Sequence, residues 1–74
     1  KGLMMKITDA KSFGGEIRRR RKELQYTQAD LAQFCGFSVS FISDLERGKA
    51  TAELGKALYM ANILGMDVCL TKRG

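Results

Sequence analysis

The sequence predicts a mainly α domain of four short helices packed as one compact unit, with a short strand at the C-terminal end. Three observations carry that prediction. Apolar residues recur at helical spacing in four separate stretches. Residues that start or stop helices (Thr27, Gly36, Ser38, Gly48, Gly65) fall between those stretches. The chain has 74 residues, 45% of them apolar. That is enough for one small core, in a size range where only about 60% of the unfolded surface becomes buried.

Residues 1–8 read as an N-terminal arm, 9–65 as the helical domain and 66–74 as a strand and tail. The first helix is expected to start at Asp9 or Ser12 and to end near Glu23, with Phe13, Ile17 and Leu24 on one face. Gly14 and Gly15 weaken its first turn. "LQYT" then turns the chain. Thr27 caps the second helix, and Asp30 stands three residues on, where an acidic capping box needs it. Leu31, Ala32 and Cys35 form its inner face, and Gly36 stops it by taking positive φ. Ser38 caps the third helix, Val39 to about Arg47, with Ile42 and Leu45 inward and Gly48 at its end. The fourth is expected from about Ala52 to Leu64, with a stripe of Leu54, Ala57, Leu58, Ala61 and Leu64 and Gly65 beyond it. "MDVCLT" follows. It is β-prone and too short for another helix.

Thirteen Lys and Arg oppose eight Asp and Glu, for a net charge of +5 and a pI near 9.6. An acidic partner such as nucleic acid fits that balance; solubility alone explains it equally well. No apolar run approaches the ~20 residues of a membrane span. The chain has no histidine, and its two cysteines, Cys35 and Cys69, match no metal spacing. Both read as reduced, buried thiols in a cytoplasmic protein. With no nucleophile–base pair, phosphate loop or metal cluster, the expectation is a protein that is not an enzyme and needs no cofactor or metal.

Two helices joined by a short glycine-containing turn form a helix-turn-helix, whose second helix can enter a major groove. The outward residues of the third helix are Val39, Ser40, Ser43, Asp44 and Arg47. They are small or polar, which lets a helix backbone approach a groove floor. A solvated face of an ordinary bundle fits the same periodicity. Two charges fall at apolar positions. Arg21 lies four residues after Ile17, and Glu46 four after Ile42. Each buried alone would cost several kcal/mol. A bridge between the first and third helices resolves both; two snorkelling surface side chains are the alternative.

"RRKELQYTQADLAQFCGFSVSFISDLERGK" resembles the Xre-type, phage-repressor-like helix-turn-helix family, through "TQADLA", the Gly36 turn, "SFIS" and "LERGK". The resemblance runs without gaps from about Ile17 to Met66. It implies a four-helix lambda-repressor-like domain with an Arg21–Glu46 structural ion pair. It also implies base-edge positions at Ser38, Val39, Ser40, Ser43 and Asp44, and a phosphate contact at Gln28. The sequence departs from the pattern at Ala52, where proline is common, and at Val39 and Phe41, where polar residues are. The tail, "ERGKATAELGKALYMANILGMDVCLTKRG", is similar to the HipB-like antitoxins. That subgroup implies a homodimer on operator DNA that represses its own operon and restrains a HipA-type serine/threonine kinase toxin.

The expected interface follows. Thr27, Gln28, Arg47, Lys49 and the first amides of the second and third helices contact phosphate. Ser40, Ser43 and Asp44 hydrogen-bond to bases, and Val39 meets a thymine methyl. Arg18–Lys22 circles the first helix, so it is no single patch. The tail strand, with Met66, Val68, Cys69 and Leu70, needs a pairing partner. A second copy about a two-fold axis supplies one and favours a palindromic operator; "LMMKI", residues 3–7, is the competing partner. A stand-alone Xre-type repressor without a toxin, and a protein-interaction or coactivator module on the same scaffold, are the other readings.

Overall fold

The computed structural model describes residues 4–74. Its helices are α1 (Ala10–Glu23), α2 (Gln28–Cys35), α3 (Val39–Glu46) and α4 (Leu54–Ile63). Three of the four begin at a side chain that takes over an orphan amide. Asp9 accepts from the Ser12 N–H at 2.7 Å, while the Ser12 hydroxyl accepts from the Asp9 N–H at 3.1 Å. Thr27 accepts from the Asp30 N–H at 3.0 Å, and the Asp30 carboxylate accepts from the Thr27 N–H at 2.9 Å. Ser38 accepts from the Phe41 N–H at 3.0 Å. The bond to the Ser12 amide holds the Asp9 carboxyl below its ordinary pKa, because only the ionised form accepts it fully.

The ends are set by backbone conformation. Gly36 takes φ 75° after α2. After α1 the left-handed residue is Gln25, at φ 64°. Its N–H bonds the Lys22 carbonyl and the Tyr26 N–H bonds the Arg21 carbonyl, closing a Schellman turn without glycine. The third helix stops one residue before its expected end, with Arg47 as C-cap.

The core joins Ile17 of α1, Leu31 of α2, Ile42 and Leu45 of α3, and Ala57, Met60, Ala61 and Leu64 at the fourth helix. Two expectations about α4 are corrected. It starts at Leu54, without a side-chain cap, and not at Ala52. Its buried stripe is Ala57, Met60, Ala61 and Leu64, whereas Leu54 and Leu58 are exposed. The two stripes share the 57–61–64 spacing, but Leu58 sits one residue, about 100°, round from Ala57. Met60, flexible enough to fill an irregular gap, is fully buried and lies 3.9 Å from the Cys35 sulfur. The cysteines also differ from expectation: Cys35 is half-buried and Cys69 is exposed.

Glycine makes the join between α1 and α3. A Cβ built on Gly14 would lie 2.1 Å from the Leu45 carbonyl oxygen and 2.9 Å from that of Glu46. Only hydrogen fits, so the backbones of the two helices touch. Neighbouring Gly15 faces open space. On the other side of α1, Arg20 Nε donates to the Leu64 carbonyl at 2.9 Å and ties α1 to the end of α4.

The tail strand is not formed. Residues 66–74 are irregular, and no strand occurs among the described residues. Met66 packs on the core and its N–H closes α4 on the Ala61 carbonyl. Val68, Cys69 and Leu70 are exposed. β-propensity alone makes no strand without a neighbour to supply a ladder. The competing partner, residues 4–7, is exposed and unpaired; Leu3, the remaining residue of that segment, lies outside the described residues. No helix among the described residues is long and apolar enough to cross a membrane.

Candidate nucleic-acid interface

The position of α3 is fixed from below by one buried ion pair. Arg21 Nε donates to Glu46 Oε2 at 2.7 Å and Arg21 Nη2 to Glu46 Oε1 at 2.9 Å, a bidentate fork. The third donor, Nη1, bonds the Tyr26 carbonyl at 2.8 Å and secures the turn before α2. Arg21 and Glu46 are 7% and 6% exposed, so the pair is a true interior contact and the snorkelling alternative falls. Hydrogen bonding to Glu46 raises the Arg21 pKa above its ordinary value.

Gln28 belongs to the same network. Its Nε2 donates to Glu46 Oε1 at 3.0 Å. One amide hydrogen is therefore spent internally and one points elsewhere. The capping box of α2 uses the amides of Thr27 and Asp30. The Thr27 hydroxyl oxygen accepts that cap bond, while its own hydrogen forms no bond within the chain's described residues. Gln28 and Ala29 retain first-turn amides that a helix cannot satisfy itself. The same holds for Val39 and Ser40 at the start of α3.

On the outer face of α3, Val39 and Ser40 are exposed, and Ser43 and Asp44 are half-buried. Ser38, also exposed, spends its oxygen on its cap. At the C-terminal end four residues form one cluster. Arg47 donates to the Ser43 hydroxyl through Nη1 and to Asp44 Oδ1, at 2.8 Å, through Nη2. Lys49 Nζ lies 3.5 Å from Asp44 Oδ2. Two expected phosphate ligands thus share one expected base reader as counter-ion. Met66, Val68, Cys69 and Leu70 lie in the tail, apart from this face in sequence and not joined to it by any hydrogen bond.

Sequence reasoning missed Lys56. Its Nζ stands 5.5 Å from the ring centres of both Phe37 and Phe41, beside the start of α3, and 3.7 Å from Glu53. No local pattern signals a cation that reaches another helix across fifteen or more residues. Arg18–Lys22, the basic run, divides its duties: Arg19 pairs with Glu16, Arg20 with Glu23 and the end of α4, Arg21 with the core, while Arg18 and Lys22 form no ion pair among the described residues.

The model of a family described as a helix-turn-helix domain matches residues 12–73. The uncharacterized HTH-type transcriptional regulator y4mF of Sinorhizobium fredii is 36% identical over 72 residues, covering 97% of this chain and 95% of that protein. A control-region protein of Bacillus phage phi105, the ImmF control region 10 kDa protein, is 27% identical over 66 residues, 89% of this chain and 73% of that one. Among solved structures, a HipB variant in an O2 20mer complex superposes with a TM-score of 0.86 at 21% identity, covering 97% of this chain and all of that one. HipB in an O4 20mer complex gives 0.85 at 20% identity, with 96% and full coverage. At those identities the likeness is one of fold.

Proposed function

The chain belongs to the helix-turn-helix domain family, of the Xre type, and from that premise we propose that it is a sequence-specific regulator of transcription that binds double-stranded DNA as a homodimer. The observation that carries the reading is the locking of α3. A bidentate pair and a glycine contact hold it against α1, and its opposite face carries short side chains, with Val39 and Ser40 exposed and Ser43 and Asp44 half-buried. Rigid presentation of a short helix is what groove readout needs. In this reading Ser40, Ser43 and Asp44 meet base edges, with Ser38 and Val39 at the entry end. Gln28, Arg47, Lys49 and the first-turn amides of α2 and α3 contact phosphate, with Thr27 setting the cap beside them.

The dimer has separate support. Leu54, Leu58, Tyr59 and Ile63 on α4 and Val68 and Leu70 in the tail are all at least 40% exposed. Exposed apolar side chains gathered on one helix and the segment after it are characteristic of an association surface. A second copy would cover them and supply the ladder that residues 66–70 lack, placing two α3 helices about one DNA turn, roughly 34 Å, apart on a palindromic operator. Autorepression, a cytoplasmic location and a HipA-like kinase toxin as partner complete the proposal; the toxin rests on the resemblance of the tail alone.

Recovery of the native complex tests the whole reading. Sequencing of the DNA bound to the intact chain is expected to return a two-fold-symmetric site, and proteomics of the same complex to return the toxin. DNA recovered without sequence enrichment, with binding indifferent to salt, would overturn the regulator reading in favour of a protein-interaction module. Deletion of residues 67–74 is expected to give a monomer by sedimentation with much weaker operator binding. A dimer as tight as the full chain's would move the interface away from the tail.

A further inference from the structure

Gly15 is unexplained by the fold. Glycine inside a helix is unfavourable relative to alanine. Gly14, next to it, has its reason in the close approach of α3, but a Cβ on Gly15 would meet nothing within 4 Å. Packing within the chain therefore does not ask for glycine there. The missing side chain leaves a shallow open notch on α1, bounded by Arg18, Arg19, Lys22 and Glu23.

The surroundings of the notch are cationic. Each residue of α1 turns about 100° from the last, so Lys11, Gly15, Arg18 and Lys22 fall on one stripe. Lys11, Arg18 and Lys22 form no ion pair among the described residues, whereas Arg47, Lys49 and Lys56 each have a carboxylate partner. The stripe also has a definite place in the fold. Going round α1 from Ile17 toward it, one first meets Arg21 and Gly14, which face Glu46 and the end of α3. The side carrying Arg20, tied to the end of α4, lies the other way. Lys11 abuts the loop after α3, since a Cβ on Gly48 would lie 2.7 Å from the Lys11 Cα. Cations thus continue from Arg47 and Lys49, past Gly48 and Lys11, to Arg18 and Lys22.

We propose that the Lys11–Gly15–Arg18–Lys22 stripe is a second contact surface for the sugar–phosphate backbone of duplex DNA, running beside the site that α3 reads, with Gly15 as the notch where the backbone approaches the helix. The stripe runs over twelve residues, eleven steps or about 16 Å of helix. Over that length one strand of B-DNA presents four to five phosphates, at about 3.4 Å of axis each. Three cations without internal partners match that charge in sign and reach, and they continue the edge already assigned to phosphate. The inference rests on the DNA-binding reading above, and it adds sequence-independent affinity that depends on the length of DNA outside the operator.

The experiment uses the full chain, a 40-base-pair mixed-sequence duplex and, as an acidic polypeptide, poly-L-glutamate. Affinity is measured against salt for the wild type, for the triple variant Lys11→Gln, Arg18→Gln, Lys22→Gln, and for Gly15→Ala. The triple variant is expected to fold normally and to lose about 0.9 in the slope of log affinity against log salt for each lost contact. Gly15→Ala is expected to melt several degrees higher, from better helix propensity, yet to bind the duplex several-fold more weakly. A wild-type slope retained by the triple variant, or a Gly15→Ala variant that is stabilised with unchanged DNA affinity, overturns the proposal while leaving the regulator reading intact. Wild type that binds no duplex overturns both. Stripe-dependent binding to poly-L-glutamate but not to DNA assigns the surface to an acidic protein and overturns the proposal as stated.

Discussion

Replacing Glu46 with Gln tests the contact that sets α3. The change preserves shape and removes one charge. In the native pair Oε2 receives one Arg21 donor, and Oε1 receives a second together with the Gln28 amide. A glutamine has one acceptor oxygen. Placed at the Oε1 position it keeps two donors and turns its own NH2 against Arg21 Nε; placed at Oε2 it keeps one and opposes two. Either way a guanidinium only 7% exposed is left without a counter-charge. Breaking a buried pair from one side costs about 3–5 kcal/mol. The whole domain, at roughly 0.05–0.15 kcal/mol per residue, is worth about 4–11 kcal/mol. Urea titration followed by circular dichroism is expected to lose at least about a quarter of that, and the melting temperature to fall by more than about 10 °C. Arg21→Lys should also be destabilised, since a single ammonium cannot form the fork. A loss below about 1 kcal/mol for Glu46→Gln would mean that water reaches the pair in solution and that α3 is held by apolar packing alone.

Other substitutions probe separate links. Gly14→Ala drives a methyl into the Leu45 and Glu46 carbonyls and should cost about 3 kcal/mol in the same titration; a loss under 0.5 kcal/mol would mean that α1 and α3 stand further apart. Gln25→Gly relieves a left-handed residue at φ 64° and should add up to about 1 kcal/mol; no gain would place the turn in another conformation. Asp44→Ala should alter sequence preference more than mixed-sequence affinity, as judged by selection from a random-site library. Uniform strengthening would instead make Asp44 only a counter-ion to Arg47 and Lys49. Cys69 should be alkylated fast at neutral pH and Cys35 slowly, because burial raises the Cys35 thiol pKa; equal rates by mass spectrometry would show the α2–α4 contact to be open.

What could be read from the sequence was what short-range chemistry decides. Thr27 with Asp30 and Ser38 are caps because an oxygen three residues before an amide can reach it in any protein. Arg21 and Glu46 were legible because opposite charges at apolar positions of different helices have few other resolutions. What depended on distant neighbours was not. The adjacent pair Gly14 and Gly15 looked like one weakness in α1. Yet Gly14 is required by α3, more than thirty residues away in sequence, and Gly15 is not. Leu58 and Met60 are both compatible with an apolar stripe on α4, and only the direction from which the other helices approach decides between them. Gln25 occupies a position where glycine is the usual signal, so the turn gave no warning. The tail reads as β by composition, but a strand is a property of two segments, and among the described residues no second segment pairs with it.

The charge distribution separates attraction from reading. On the face of α3 the two nearest cations, Arg47 and Lys49, are drawn onto Asp44, so that region carries a net charge of about one and holds its side chains in place before any ligand arrives. A phosphate must compete with Asp44 for either cation, which lowers the gain from each contact. In the reading proposed above, a base that donates to Asp44 shares that carboxylate with Arg47 and Lys49 and loosens its hold on them. On that reading the cluster would favour discrimination over raw affinity, since a wrong sequence would leave Asp44 facing the groove with its partners still engaged. Net attraction to an anionic duplex then has to come from cations whose charge is not already matched within the chain. Among the described residues Lys11, Arg18 and Lys22 form no ion pair, and they sit on the helix that also supplies the ion pair and the glycine contact behind α3. One scaffold helix thus holds the reading element in place and carries the field that would bring DNA to it.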